Sequence, residues 1–134
     1  MAGHLVPPGS MLAFLAEHRR ELFCARARST AAAPVDAGAT SATKAGVSPE
    51  KLLTLAAWYE DPRFDDAERA ALALTEAATR LCDRPGAVTD EIWIEATRHY
   101  DERQLGALVL MVAITNFFNR LNTTFRVPAG TNWD

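Results

Sequence analysis

A histidine flanked by carboxylates near the start of the chain could do acid–base chemistry. Glu17, His18 and Glu21 fall close together on a predicted helix, and Glu21 follows His18 by three residues. A carboxylate at this spacing can orient an imidazole, the side chain best suited to proton transfer near neutral pH. A solvated polar helix face has the same pattern. His18 and Glu21 are therefore candidate catalytic residues, with the solvated face as the alternative.

The two cysteines, Cys24 and Cys82, could in principle form a redox pair. They lie on different predicted helices and belong to no local redox or metal-binding motif. Isolated cysteines of this kind are more often small buried side chains. The sequence therefore predicts no metal site and no cofactor, and this cysteine usage fits a cytoplasmic protein.

Composition limits the classes of partner. The chain has 134 residues, of which 49% are hydrophobic and 23% charged, and this excludes a disordered, collagen-like or disulfide-rich protein. A net charge of -3 gives no basic surface. Neither nucleic acid nor an anionic membrane is an expected partner.

One domain is expected, covering residues 11–134. Residues 5–11 differ by one residue from a common protease-cleavage linker, so residues 1–10 are either a cloning remnant or a natural flexible N-terminus. The longest apolar run, Leu105 to Phe118, contains a glycine and two polar residues and is shorter than the about 20 residues that span a bilayer. No transmembrane segment is predicted.

For the elements that position the candidate residues, the sequence pattern indicates helices and no strands. Apolar residues recur at helical spacing from Met11 to about Arg28, and residues 29–45 predict at most a weak helix. Four later helices are predicted. Three of them end by Asp61-Pro62, near Cys82 and near Thr124, and a short one that begins after Thr89 lies before the last. Each of these four begins at a recognisable N-cap: Ser48, Asp65, Thr89 and Asp101. The predicted class is all-α.

The last helix is apolar on nearly all sides between Leu105 and Phe118. In so small a protein this indicates a central core helix or one covered by another subunit. We therefore expect a homo-oligomer.

Other side chains have structural roles as their first interpretation. Glu68 is expected to complete a capping box, and His99 to cap carbonyls or face water. Asn116 and Asn119 should be hydrogen-bonded within the fold or across a subunit contact. Aromatic residues are expected to anchor the core or an interface, with a pocket lining as the alternative for some of them: Trp58, Tyr59, Phe64, Trp93, Phe117 and Phe118.

One residue and three segments, taken in their order along the chain, resemble the carboxymuconolactone decarboxylase and alkylhydroperoxidase-D-like family. They are Trp58, the run 68–77 (ERAALALTEA), the step 88–93 (VTDEIW) and the run 114–121 (ITNFFNRL). The resemblance covers about Gly46 to Val127. It implies a helical domain of about six helices that assembles as a homotrimer or homohexamer.

Redox members of that family use a CxxC pair at a helix N-terminus, a histidine four residues later and an upstream glutamate. The helix end and a nearby imidazolium stabilise a thiolate, and two cysteines one turn apart can cycle through a disulfide. By this resemblance Ala31, Pro34 and Gly38 stand where Cys, Cys and His belong. Glu21 can be placed on the glutamate if a gap of about two residues is allowed.

A shifted reading frame could explain the missing motif. Family members often read LRASQINGC before the active site. With codons chosen to fit, that string read one nucleotide later translates as Cys24 to Ala32 of this chain. The hypothesis is that residues 24–33 come from a shifted frame that is restored by Val35-Asp36.

Two hypotheses of function follow, with a third that depends on the reading frame. The first is an enzyme with a small-molecule substrate that uses His18 and Glu21 for a thiol-independent, decarboxylase-like or isomerase-like reaction. The second is a catalytically silent oligomeric scaffold or binding protein. The third is an antioxidant hydroperoxide reductase, if residues 24–33 are a frame-shift artefact.

Overall fold

The first described helix begins at a serine cap. A computed structural model describes residues 47–127. Helix α1 is Pro49–Thr54, and the hydroxyl of Ser48 accepts the Lys51 N–H at 3.3 Å. The chain continues as a 3₁₀ turn, Leu55–Ala57, after which it is no longer helical. The helical path thus ends before Asp61-Pro62, as predicted, in a turn where the N–H groups of Glu60 and Asp61 both bind the Ala57 carbonyl.

Three further helices follow, and the predicted caps are confirmed. They are α2 (Asp66–Thr79), α3 (Asp90–His99) and α4 (Glu102–Phe125). Asp65 with Glu68, and Asp101 with Gln104, form complete capping boxes, and Thr89 caps α3. Helix α2 ends earlier than predicted, at Thr79, and a 3₁₀ turn, Arg80–Cys82, carries the chain onward.

Helix α2 lies between two apolar clusters. Leu72 faces the first cluster, with Val47, Leu55 and Phe64. Ala71 and Leu74 face the second. The other buried members of the second cluster come from α3, α4 and their junction: Ala96, Tyr100, Leu105 and Leu108. Burial of each large apolar side chain stabilises the fold by about 1.5–3 kcal/mol. Because both clusters pack against α2, this helix is the wall that they share.

Helix α4 has one buried side. Its C-cap residue, Arg126, has a left-handed backbone (φ 54°). By length and composition alone this helix could cross a membrane, a test that core helices of water-soluble proteins also pass. Within residues 47–127 every regular element is helical. The all-α prediction is confirmed for this part of the chain.

Candidate functional site

The residues predicted to carry chemistry lie mostly outside the described part of the chain. His18, Glu21, and Cys24 precede residue 47, and so do the three positions of the missing redox motif, Ala31, Pro34 and Gly38. Cys82 ends the 3₁₀ turn after α2. Their proposed roles therefore stay predictions.

Within residues 47–127, the structure assigns structural roles to two polar residues. Glu68 completes the α2 capping box as predicted, and it also accepts two hydrogen bonds from the Lys51 ammonium, at 2.6 and 2.7 Å. His99 is exposed at the end of α3, as expected for a residue that faces water, and its Nε2 lies 3.2 Å from Glu95 Oε1 one turn earlier. Glu68 is thus engaged in a cap and an ion pair, and His99 in a pair with Glu95.

The polar residues of α4 differ from one another. Asn116 donates to the Thr79 hydroxyl at 3.5 Å. The Nδ2 of Asn119 is buried and has no hydrogen-bond partner among residues 47–127, and the residue is only 2% exposed. The expected hydrogen bond of Asn119 therefore stays a prediction for this atom.

An open groove of about 350 Å³ runs beside α2 and the start of α3. Trp58, Ala70, Ala73 and Ile92 supply its apolar surface, three carboxylates border it (Asp66, Glu91 and Glu95), and Arg69 also lines it. An apolar surface with a few polar groups is the usual lining of a small-molecule site. This groove is the candidate site in the described part of the chain.

Hydrogen bonds keep two of the groove carboxylates ionised. The Thr89 side chain and the Glu91 backbone N–H lower the pKa of Glu91. His99, and then Arg98, lower the pKa of Glu95. Both groups are therefore charged at neutral pH, so the groove favours a neutral or cationic molecule over an anionic one.

Arg69 does not offset this negative charge by binding an anion. Its guanidinium donates to the backbone carbonyls of four residues at 2.5–3.1 Å: Trp58, Tyr59, Asp61 and Phe64. Four N–H···O contacts thus hold the segment between α1 and α2. The residue shapes the groove, and its single positive charge leaves the three carboxylates in excess.

Trp58 is fixed in the groove wall by a carboxylate. Its indole N–H donates to Glu76 Oε1 at 3.1 Å, and Tyr59 packs edge-on against its ring with centroids 6.0 Å apart. Glu76 lies three residues after Ala73, about one turn along the same helix. The sequence pattern did not predict this pair, for which the co-occurrence of a tryptophan and an interior helical glutamate was the only signal.

No metal centre is formed by the described residues. Within the 47–127 range, no three side chains among His, Cys, Asp and Glu lie close enough together to hold an ion. The chemistry open to this part of the molecule is binding through apolar contact, hydrogen bonds and negative charge.

A solved structure has the same architecture. It is a protein of unknown function from Agrobacterium tumefaciens, proposed as the antioxidant defence protein AhpD, with a TM-score of 0.74. The match covers 93% of this chain and 78% of that one at 19% sequence identity. The fold is all-α and AhpD-like. At this identity the likeness concerns the fold alone.

Two curated relatives are uncharacterized proteins. YnjA from Escherichia coli is 34% identical over 82 residues, which are 61% of this chain and 43% of YnjA. YdfG from Bacillus subtilis is 33% identical over 88 residues, which are 66% of this chain and 58% of YdfG. The chain thus spans about half the length of these relatives. No family model matches it.

Proposed function

We propose that this chain belongs to the carboxymuconolactone decarboxylase and AhpD-like family and works without thiols. The AhpD-like fold supports the scaffold. Ala31, Pro34 and Gly38 occupy the positions where the resemblance places two cysteines and a histidine. None of the three can cycle through a disulfide or transfer a proton. This substitution is the observation on which the proposal depends.

The proposed activity is a lyase-type or isomerase-type reaction on a small molecule in the cytoplasm. His18 and Glu21 are the proposed acid–base residues, as the sequence analysis suggests. The groove beside α2 supports a small-molecule site because its volume lies in the usual range for ligand pockets, about 300–1,000 Å³. Its ionised carboxylates, Glu91 and Glu95, favour an uncharged or cationic substrate over an anionic one. This fits an isomerase-type reaction better than the decarboxylation of a carboxylate.

Absence of thiol peroxidase activity is the first expected outcome. A dithiol cycle needs a low-pKa thiolate and a resolving thiol within reach, and the substituted motif provides neither. The assay supplies hydrogen peroxide or an organic hydroperoxide with a dithiol reductant. Turnover that disappears in Cys24→Ser or Cys82→Ser would contradict the proposal.

Binding in the groove is tested by filling it. Ala73 lines the groove, whereas Ala78 is half-buried on the same helix and does not. We expect neutral lactones to raise the Tm of the wild type and of Ala78→Leu but not of Ala73→Leu, because the added side chain occupies the cavity. Binding that survives Ala73→Leu, or that is confined to the corresponding hydroxy acids, would contradict this site.

A hydroperoxide reductase is the second candidate. The reading-frame match at Cys24 to Ala32 favours it, since the shifted frame would encode the cysteine motif. Intact mass with peptide mapping of residues 21–45, together with the gene's nucleotide sequence, separates the two candidates. Binding without turnover for any lactone would instead support a silent binding protein.

A further inference from the structure

The groove beside α2 is formed where this helix carries short side chains. Four groove residues of α2 are spaced i, i+3, i+4 and i+7 and therefore share one helix face: Asp66, Arg69, Ala70 and Ala73. The two alanines fill little volume, so a cavity of about 350 Å³ remains between this face, the start of α3 and Trp58. The cavity thus follows from the residue types on one face of α2.

Carboxylates border the cavity from both helices. Asp66 is the first residue of α2, and Glu91 and Glu95 lie one turn apart on α3. Among residues 47–127, no hydrogen bond or ion pair engages the Asp66 side chain. A ligand in the cavity therefore meets negative charge on two sides.

The positive charges beside the groove leave one carboxylate in excess. Arg69 lines the groove, and Arg98 offsets Glu95 through an ion pair at 2.5 Å. Three carboxylates thus face two guanidinium groups. The Arg98 side chain is exposed, so solvent screens its effect on the groove. His99 also pairs with Glu95 and adds a positive charge only when it is protonated. One positive charge on a ligand would balance the excess.

Trp58 gives the groove an aromatic wall, which suits an organic cation better than a metal ion. An indole ring attracts a cation that lies over its face within about 6 Å. A metal ion instead needs several converging ligands, and the described residues form no such cluster of His, Cys, Asp and Glu. The tryptophan and the apolar surface around it fit a positive charge that is surrounded by alkyl groups.

We propose that the groove binds a small organic cation, a tertiary or quaternary ammonium compound, in preference to a neutral molecule of the same shape. Trp58, Ala73 and Ile92 contact its alkyl groups, and the carboxylates of Asp66 and Glu91 face its charge. This inference rests on the proposed function, because it concerns the same groove and names the class of substrate.

A neutral ligand is the weaker alternative for a physical reason. Any molecule that fills the cavity removes water from the carboxylates at its edge, and this desolvation costs free energy. A neutral molecule supplies no charge to offset the cost. A cation of the same shape makes the same apolar contacts and offsets the cost as well, so it should bind more tightly.

Two probes of the same shape test this preference. Choline carries a trimethylammonium group where 3,3-dimethylbutan-1-ol carries a tert-butyl group, so the two differ mainly in charge. Isothermal titration calorimetry of the wild type at low ionic strength should give a Kd for choline that is at least about tenfold lower than the Kd for the alcohol. Added salt should weaken the binding of choline and leave that of the alcohol unchanged.

A charge-removing substitution locates the effect in the groove. Glu91→Gln keeps the shape of the side chain and should reduce the difference between the probes to about threefold or less. Glu102→Gln is the matched control, since Glu102 is also an exposed glutamate in the first turn of a helix and does not line the groove. It should keep the tenfold difference. Ala73→Leu should abolish the binding of both probes, because it fills the cavity.

The outcomes separate this inference from the proposed function. If the alcohol binds the wild type as tightly as choline does, or if Glu91→Gln keeps the tenfold difference, the preference for a cation is wrong and the groove remains a site for neutral molecules. If both probes still bind to Ala73→Leu, the groove is not their site and the inference is wrong. If neither probe binds, the inference is also wrong, and the groove fails as a substrate site only if neutral lactones do not bind either.

Discussion

Arg69 determines the path of the chain between α1 and α2. Residues 58–64 form no regular element, and their carbonyl groups need partners. One guanidinium supplies four such partners, at 2.5 Å for Asp61, 2.6 Å for Tyr59, 3.0 Å for Phe64 and 3.1 Å for Trp58. The planar fork of arginine can reach several acceptors at once, which a lysine ammonium cannot.

Arg69→Lys should therefore lower the free energy of unfolding by about 1–3 kcal/mol, since carbonyls in the segment lose their donors. Urea denaturation measures the change. Arg84→Lys is the control, because Arg84 is exposed and should change stability by less than about 0.5 kcal/mol. Equal effects of the two substitutions would show that the carbonyl contacts contribute no stability.

Tyr100 fixes the junction of helices α3 and α4 to helix α2. Its hydroxyl donates to the Ala67 carbonyl at 2.8 Å, and the residue is 9% exposed. Burial, and then the charges of Asp65 and Glu68, raise the pKa of Tyr100 to about 12. An unfolded tyrosine ionises near about pH 10.

The folded state therefore holds the Tyr100 proton more tightly than the unfolded state. Its contribution to stability is complete below about pH 10 and is lost as pH rises towards about 12. Tyr100→Phe should cost about 1 kcal/mol at neutral pH and should remove this alkaline decline.

Denaturation midpoints between neutral pH and the alkaline range measure both effects. Tyr59→Phe is the control, because Tyr59 is 62% exposed. A wild-type decline that persists unchanged in Tyr100→Phe would assign the alkaline loss of stability to another group.

Across residues 47–127, the sequence predicted where helices begin better than which side chains contact one another. The caps at Ser48, Asp65, Thr89 and Asp101 depend on groups three residues apart, so local spacing reveals them. Helix ends were less accurate, as the end of α2 at Thr79 shows, because a helix can tighten into a 3₁₀ turn without a marked change in sequence pattern.

The groove could not be predicted in the same way. Trp58 is hydrogen-bonded to Glu76, 18 residues later in the sequence, and to Arg69, 11 residues later. Both contacts depend on the path of the intervening segment. Trp93 was expected to anchor the core or an interface, and its 44% exposure shows that it is not a core residue of the described fold. Helical periodicity indicates which side of a helix is apolar. It does not show how much of that side the neighbouring elements cover.

The position of α2 as the wall shared by two apolar clusters has a consequence for folding. Neighbouring residues Ala71 and Leu72 face different clusters, so both clusters require the same helix to be in place. The contacts of α2 with α3 and α4 are closer in sequence than those a β-sheet protein must make, which favours fast formation. We expect the folding nucleus to contain α2, with each cluster condensing on its own side of that helix.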